Sequence, residues 1–211
     1  TADVVVCGAG IAGIAAAHEL AVERGCGEVL LVDPLPPLTL TSDKSAECYR
    51  NWWPGETMTR FMARSIDRLD AWTAASGNRF AMNRNGYAYF TAAPERAVSL
   101  ERTAREISAL GAGELRVHRG AMSDPLFPEA PYDKLDPSIG GADLILDPQT
   151  LRCRYPFLNP ATIAALLPRR CGWLAAHQLG MWMLEQARDA GVELVEGRLT
   201  AIAVEAGRVA G

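Results

Sequence analysis

The chain has 211 residues, of which 49% are hydrophobic and 22% charged, with a formal net charge of −4. That length holds one large domain or two small ones, and the composition is ordinary for a soluble globular protein. The mild acidity argues against nucleic acid or an anionic membrane as partner, and no apolar run approaches a bilayer span. Five cysteines, an odd number with no C-x-x-C pair, point to reduced thiols in the cytoplasm rather than to disulfides or a zinc site. The three histidines have no metal-ligand spacing.

Val4–Val6 reads as a buried parallel strand that runs directly into Gly8, Gly10 and Gly13, spaced G-x-G-x-x-G. A helix from Ile14 to about Glu23 follows, rich in alanine for close packing, and Val29–Val32 then forms a second strand ending in Asp33. This order is the one a dinucleotide site requires. Gly8 allows the tight turn, Gly10 lets backbone approach a pyrophosphate, and Gly13 lets the helix pack on the strand. The helix N-terminus supplies free N–H groups and the positive end of its dipole. Asp33, twenty residues after Gly13, is placed to accept the ribose hydroxyls of an adenosine. These residues alone leave NAD and FAD both open.

The next stretch separates the two. Pro34, Pro36 and Pro37 forbid a regular helix, and a polar stretch leads to Trp52-Trp53-Pro54-Gly55. Hydroxyls at Thr39, Thr41, Ser42 and Ser45, with cations at Lys44 and Arg50, suit phosphates, ribityl oxygens or a flavin ring. A solvated surface loop is the alternative. A third parallel strand, expected of a plain NAD domain, is missing here.

Helical spacing of Met58, Phe61, Met62, Ile66, Leu69 and Trp72 predicts a core-facing helix over 58–75, ended by Gly77. Phe80–Asn83 and Tyr87–Thr91 read as two strands of a hairpin around Asn85-Gly86. Pro94–Leu110 is a second amphipathic helix. Residues 120–160 read as irregular, broken by Pro125, Pro128, Pro131, Pro137 and Gly140-Gly141, with a short helix after Asp147. Gln178–Ala190 is a third helix, Val192–Glu196 a strand, and a hairpin follows around Glu205-Ala206-Gly207.

Four segments in this order carry a resemblance: the βαβ unit with G-A-G-I-A-G, the loop T-S-D-K-S-A-E-C-Y-R-N-W-W-P, the stretch N-G-Y-A-Y-F and the segment G-V-E-L-V-E-G-R-L-T-A-I. The chain resembles the first half of a flavoprotein of the D-amino-acid oxidase/sarcosine oxidase (DAO) family, FAD-dependent oxidases and dehydrogenases of amines and amino acids. The resemblance implies an α/β fold: a glutathione-reductase-like FAD-binding Rossmann domain interrupted by an antiparallel α+β substrate domain, truncated at its C-terminal side. The segments expected are 1–76 and 171–211 for the cofactor and 77–170 for the substrate. It also implies that Gly8, Ala9, Gly10, Ile11, Ala12 and Gly13 hold the adenosine and pyrophosphate of FAD, with Asp33 on the ribose and Pro34 also contacting the cofactor. Thr41, Ser42, Lys44 and Ser45 would run alongside the flavin, and Leu199 would lie against the adenine.

The implied chemistry is hydride transfer from the carbon beside an amine to flavin N5, giving an imine. Arg50 is the candidate to fix a substrate carboxylate, because a guanidinium can grip one with two parallel hydrogen bonds; a surface or structural ion pair is the alternative. Tyr49, Trp52 and Trp53 would either wall that pocket or pack a core. Partners implied are a small-molecule amine or amino acid and either a missing C-terminal half or a second subunit. Two other readings stay open: an NAD-dependent dehydrogenase, and a non-catalytic FAD-binding subunit completed by another chain.

Overall fold

The computed structural model describes residues 2–44, 47–127, 131 and 135–209. In chain order they form β1 (Val4–Cys7), α1 (Ile11–His18), β2 (Val29–Asp33), β3 (Cys48–Arg50), α2 (Glu56–Ser76), β4 (Tyr89–Thr91), α3 (Pro94–Ile107), β5 (Leu115–His118), β6 (Ala142–Ile145), α4 (Pro148–Arg154), β7 (Ala164–Pro168), β8 (Cys171–Trp173), α5 (Ala176–Asp189), β9 (Glu193–Glu196), β10 (Val204–Glu205) and β11 (Arg208–Val209). The chain divides into two compact units, 1–46 together with 175–211, and 47–174. By compactness the divisions lie at 46/47 and 174/175, with α2 in the second unit.

In the first unit β1, β2 and β9 form a parallel sheet in the order β1-β2-β9. Val29 and Leu31 turn the same way as the buried Ile14 and Ala17 of α1. Leu179, Met183, Leu184 and Ala187 bury the matching stripe of α5, and His18 tilts against Trp182. His18 is thus a packing residue. The strand expected to be buried is only half so: Val5 is 50% exposed. β1 is an edge strand among the described residues, and its side chains alternate between the covered face and the open one. The β10–β11 hairpin turns through Ala206 and Gly207, both at positive φ, as a two-residue turn demands.

The second unit is built on a mixed sheet in the order β4-β7-β6-β5, with β5 and β6 parallel and the other pairs antiparallel. Both faces are covered. Ala142, Leu144 and Leu166 pack with Trp52, Ala104 and Ile107 on one side, and Ile145, Ala165 and Leu167 pack with Leu151 of α4 on the other. A two-stranded antiparallel sheet pairs β3 with β8.

Three expectations are corrected here. Phe80–Asn83 is not a strand. Both Asn78 amide atoms hydrogen bond Met82 backbone, Oδ1 accepting from its N–H at 2.8 Å and Nδ2 donating to its carbonyl at 3.0 Å. This local pairing replaces a ladder. β4 pairs instead with β7, and Gly86 N–H reaches the Cys171 carbonyl at 2.9 Å. The stretch 120–160 contains β6, a central strand; Pro128 lies outside the described residues. Finally, the α2 stripe is not all core. Phe61 is 63% exposed, while Thr59, Ile66 and Thr73 are buried, the two threonines by donating to the Trp53 and Leu69 carbonyls.

Two buried ionic groups join distant parts of this unit. Asp143, fully buried, accepts a fork from Arg116 at 2.8 and 3.0 Å and pairs with His118 Nε2 at 2.9 Å. Arg84, also buried, grips Asp70 at 2.7 and 2.6 Å and donates to the Tyr49 hydroxyl at 2.8 Å. Burial pushes the Tyr49 hydroxyl up to about 12, against the pull of Arg84. Cys171, buried in β8, is likewise pushed up to about 12. Both groups stay protonated at neutral pH.

Candidate cofactor site

The loop between β1 and α1 is tied to the end of β2. Gly8 N–H donates to the Val32 carbonyl at 2.8 Å, and Ala9 N–H donates to Asp33 Oδ2 at 2.6 Å. The other Asp33 oxygen accepts from Leu35 N–H at 2.8 Å. Asp33 therefore orders both the glycine turn and the chain leaving β2, and a carboxylate retains lone pairs for ribose hydroxyls.

The three glycines have different reasons. Gly8 sits at φ +104°, where a side chain would be strained. A Cβ on Gly13 would lie 1.8 Å from the Gly8 carbonyl oxygen, so packing excludes one. Gly10 has neither constraint. Its φ of −76° and ψ of 178° suit any residue, and its nearest neighbour to an added Cβ is Ser42 Oγ at 3.8 Å. The space beside Gly10 is open, directly before the N-terminus of α1. A glycine that the protein's own packing does not demand is what a ligand approaching the backbone would demand.

The proline stretch closes over this point. Leu38 is buried at positive φ, and its N–H donates to the Ala9 carbonyl at 2.9 Å. Gly180 of α5 makes room for it: a Cβ there would lie 2.7 Å from both Leu38 methyls. The chain then forms a short 3-10 turn, Thr41–Asp43, and Ser42 Oγ accepts from Ile11 N–H at 3.1 Å. The result is a cavity of about 210 Å³ lined by Ala9, Gly10, Asp33, Thr39, Thr41 and Ser42, with Leu35, Pro36, Leu38 and Leu40. Its open backbone, hydroxyls and helix N–H groups suit phosphate and ribose oxygens.

Among the expected cofactor residues, Ala9, Gly10, Asp33, Thr41 and Ser42 are thus brought together. Gly8, Ile11 and Gly13 shape the turn from behind. Ala12, Pro34 and Lys44 are exposed and do not line the cavity. Leu199, 50% exposed, follows β9 in an irregular stretch. Ser45 lies outside the described residues. Leu38 and Gly180, which position the loop, were not singled out in the sequence; no local pattern links residues so far apart.

In the second unit Arg50, at the end of β3, lies with its guanidinium carbon 3.9 Å from the centre of the Trp53 ring and 5.3 Å from that of Tyr87. Trp53 Nε1 donates to the Arg50 carbonyl at 2.9 Å. Burial raises the Tyr87 hydroxyl pKa, which a hydrogen bond with Arg50 partly offsets. Arg50 Nε is buried with no hydrogen-bond partner, and no described carboxylate reaches ion-pair distance. Of the three expected wall residues, Tyr49 is held in the Arg84 network, Trp52 is core, and Trp53 stacks on Arg50.

A parallel strand, glycine turn and helix closed by an acid on the next strand form the βαβ arrangement of α/β dinucleotide-binding folds. A family model described as FAD dependent oxidoreductase, DAO, matches residues 3–211, and the chain belongs to that family. No curated protein sequence matches it. Its fold is similar to L-proline dehydrogenase from P. horikoshii (TM-score 0.77, 19% identity), glycine oxidase from Bacillus cereus (0.73, 17%) and L-amino acid deaminase from Proteus vulgaris (0.72, 20%). Each similarity covers 99% of this chain but only 48%, 51% and 43% of the other, so the chain spans about half their length. No helix among the described residues is long and apolar enough to cross a membrane.

Proposed function

We propose that the chain binds FAD through its first unit and takes part in the oxidation of an amine or amino acid. Family membership supports the cofactor; the observation that carries it in this chain is Gly10, a glycine beside open space that nothing in the chain's own packing requires. Ala9, Gly10, Thr41 and Ser42 would hold the pyrophosphate side, with Asp33 on the ribose. The α1 N-terminus favours the phosphate charge. Bound flavin would supply the two-electron acceptor for oxidation of the amine to an imine. The chain's own contribution is to bind and orient. Arg50 would fix a substrate carboxylate, and its stack on Trp53 limits the directions in which the guanidinium can point. A cytoplasmic location suits the five free thiols.

An absorption spectrum of the purified chain, before and after acid precipitation, tests the cofactor. Oxidised-flavin bands that pass into the supernatant support non-covalent FAD; a preparation loaded with nicotinamide dinucleotide instead would overturn it. Anaerobic addition of amino acids and secondary amines then tests turnover. Bleaching supports oxidation. Bound flavin that no amine reduces identifies a binding subunit.

A further inference from the structure

Two residues of the first unit break local rules, and they meet. Leu38 has φ +63°, in the left-handed region that strains a side chain and that glycine occupies freely. Among the described non-glycine residues with positive φ, Leu38 alone is buried, at 1% exposure. Gly180 is the reverse case. It lies inside α5, where alanine would make the more stable helix. Glycine is the locally favoured residue at 38 and a side chain is favoured at 180, yet the chain has the opposite at both.

The two departures compensate each other. A Cβ on Gly180 would lie 2.7 Å from both Leu38 methyl carbons, so the leucine occupies the space a helix side chain would take. That Cβ would also lie 3.2 Å from Ile11 Cδ1, at the start of α1. One notch in α5 therefore receives residues from both sides of the cofactor cavity. Leu38 is tied to the glycine turn by its N–H, 2.9 Å from the Ala9 carbonyl, and Ile11 is tied to the hydroxyl turn by its own N–H, 3.1 Å from Ser42 Oγ. A glycine in the loop with an alanine in the helix would satisfy both backbones. What the leucine adds is a fixed place for the chain that follows it, and Thr39, Thr41 and Ser42 of that chain line the cavity with Ala9 and Gly10. Local violations that agree only with each other are expected where function, not fold, sets the choice.

We propose that Leu38 and Gly180 are positioning residues for the cofactor: a latch between the loop after β2 and α5 that sets the hydroxyls of Thr39, Thr41 and Ser42 against the glycine turn before the cofactor binds. This rests on the reading of the cavity as the pyrophosphate and ribose site of FAD. A loop that is already fixed loses little freedom on binding, so more of its contact energy appears as affinity. With the latch broken, the same hydroxyls must be ordered by the cofactor itself. The C-terminal segment thus sets cofactor affinity from beneath the loop, without touching the cofactor.

Amide hydrogen exchange of the cofactor-free chain and titration with FAD, each on the parent, Gly180→Ala, Leu38→Gly and the double variant, test this. Gly180→Ala favours the helix but takes the space of Leu38. It is expected to speed exchange over residues 38–44, to leave exchange within α5 no faster than in the parent, and to weaken FAD binding at least about tenfold. The α5 amides separate positioning from damage to the helix, which would speed them as well. In the Leu38→Gly background the same substitution meets no leucine, and it is expected to change FAD affinity by less than about twofold. Parent-like FAD affinity in Gly180→Ala, unchanged exchange over 38–44, faster exchange within α5, or the same loss of affinity in both backgrounds would overturn the proposal. A parent chain that binds no FAD refutes the cofactor reading alone, and exchange over 38–44 in Gly180→Ala then still decides the latch.

Discussion

The cofactor loop of the first unit and the β4-β7-β6-β5 sheet of the second are assembled in opposite ways. In the loop, β1, the three glycines, α1, β2 and Asp33 lie within one continuous stretch of recognisable order, tied by Gly8 to Val32 and Ala9 to Asp33. In the sheet, the four strands come from separate stretches with no motif linking them. Tyr89 lies opposite Leu166, and Leu144 opposite both Val117 and Leu166. A buried carboxylate, Asp143, ties β6 to β5 through Arg116. The loop depends on where side chains are missing; the sheet depends on how distant ones meet.

That difference explains what could be read in advance. The glycine turn, the strand ending in Asp33 and the helices with Gly77 or Gly191 behind them follow from local pattern, because turn geometry and helix periodicity are local properties. β6 and β7 were hidden for a physical reason. A strand covered on both faces has no polar alternation, and A-A-L-L-P or A-D-L-I offers no period to detect. Asn85-Gly86 signalled a hairpin that does not form: Gly86 has positive φ, but no turn forms there and β4 pairs with β7. At the site, Gly10 and Asp33 were legible while Leu38 and Gly180 were not. The aromatic grip on Arg50 was half legible: Trp53 is three residues away, Tyr87 thirty-seven.

The comparison can be broken at either end. Gly13→Ala strikes the loop at its tightest point, where the new methyl must move the Gly8 carbonyl. A loss of about 3 kcal/mol or more in urea-unfolding free energy is expected, and a loss under about 1 kcal/mol would show that the turn relaxes freely. In the sheet, Asp143→Asn leaves Arg116 with only the exposed Glu114 carboxylate, 4.0 Å away, in place of its buried partner. It is expected to cost about 3 kcal/mol by the same measurement, and Asp143→Leu paired with Arg116→Met to recover most of it.

A smaller effect is expected from pH. Tyr49 and Cys171 both have folded pKa values raised to about 12 from ordinary values of 10.0 and 9.0. The unfolded chain therefore loses these protons first as pH rises. Their stabilising contribution is complete below pH 9 and declines progressively from there toward about 12. Urea midpoints are expected to fall above pH 9, with the first part of the decline absent in Cys171→Ala. A midpoint that stays level in the parent chain to pH 11 would contradict the burial of both groups.

The smallest effect on stability and the largest consequence for function meet at Gly10. FAD titrations of the parent chain and Gly10→Ala, each with a urea-unfolding curve, test the central claim most directly. The account predicts FAD binding in the parent chain, at least about tenfold weaker affinity in the variant, and unfolding free energies that agree within about 0.5 kcal/mol. Equal FAD affinity in the two would contradict it, because Gly10 would then be reserved for no ligand.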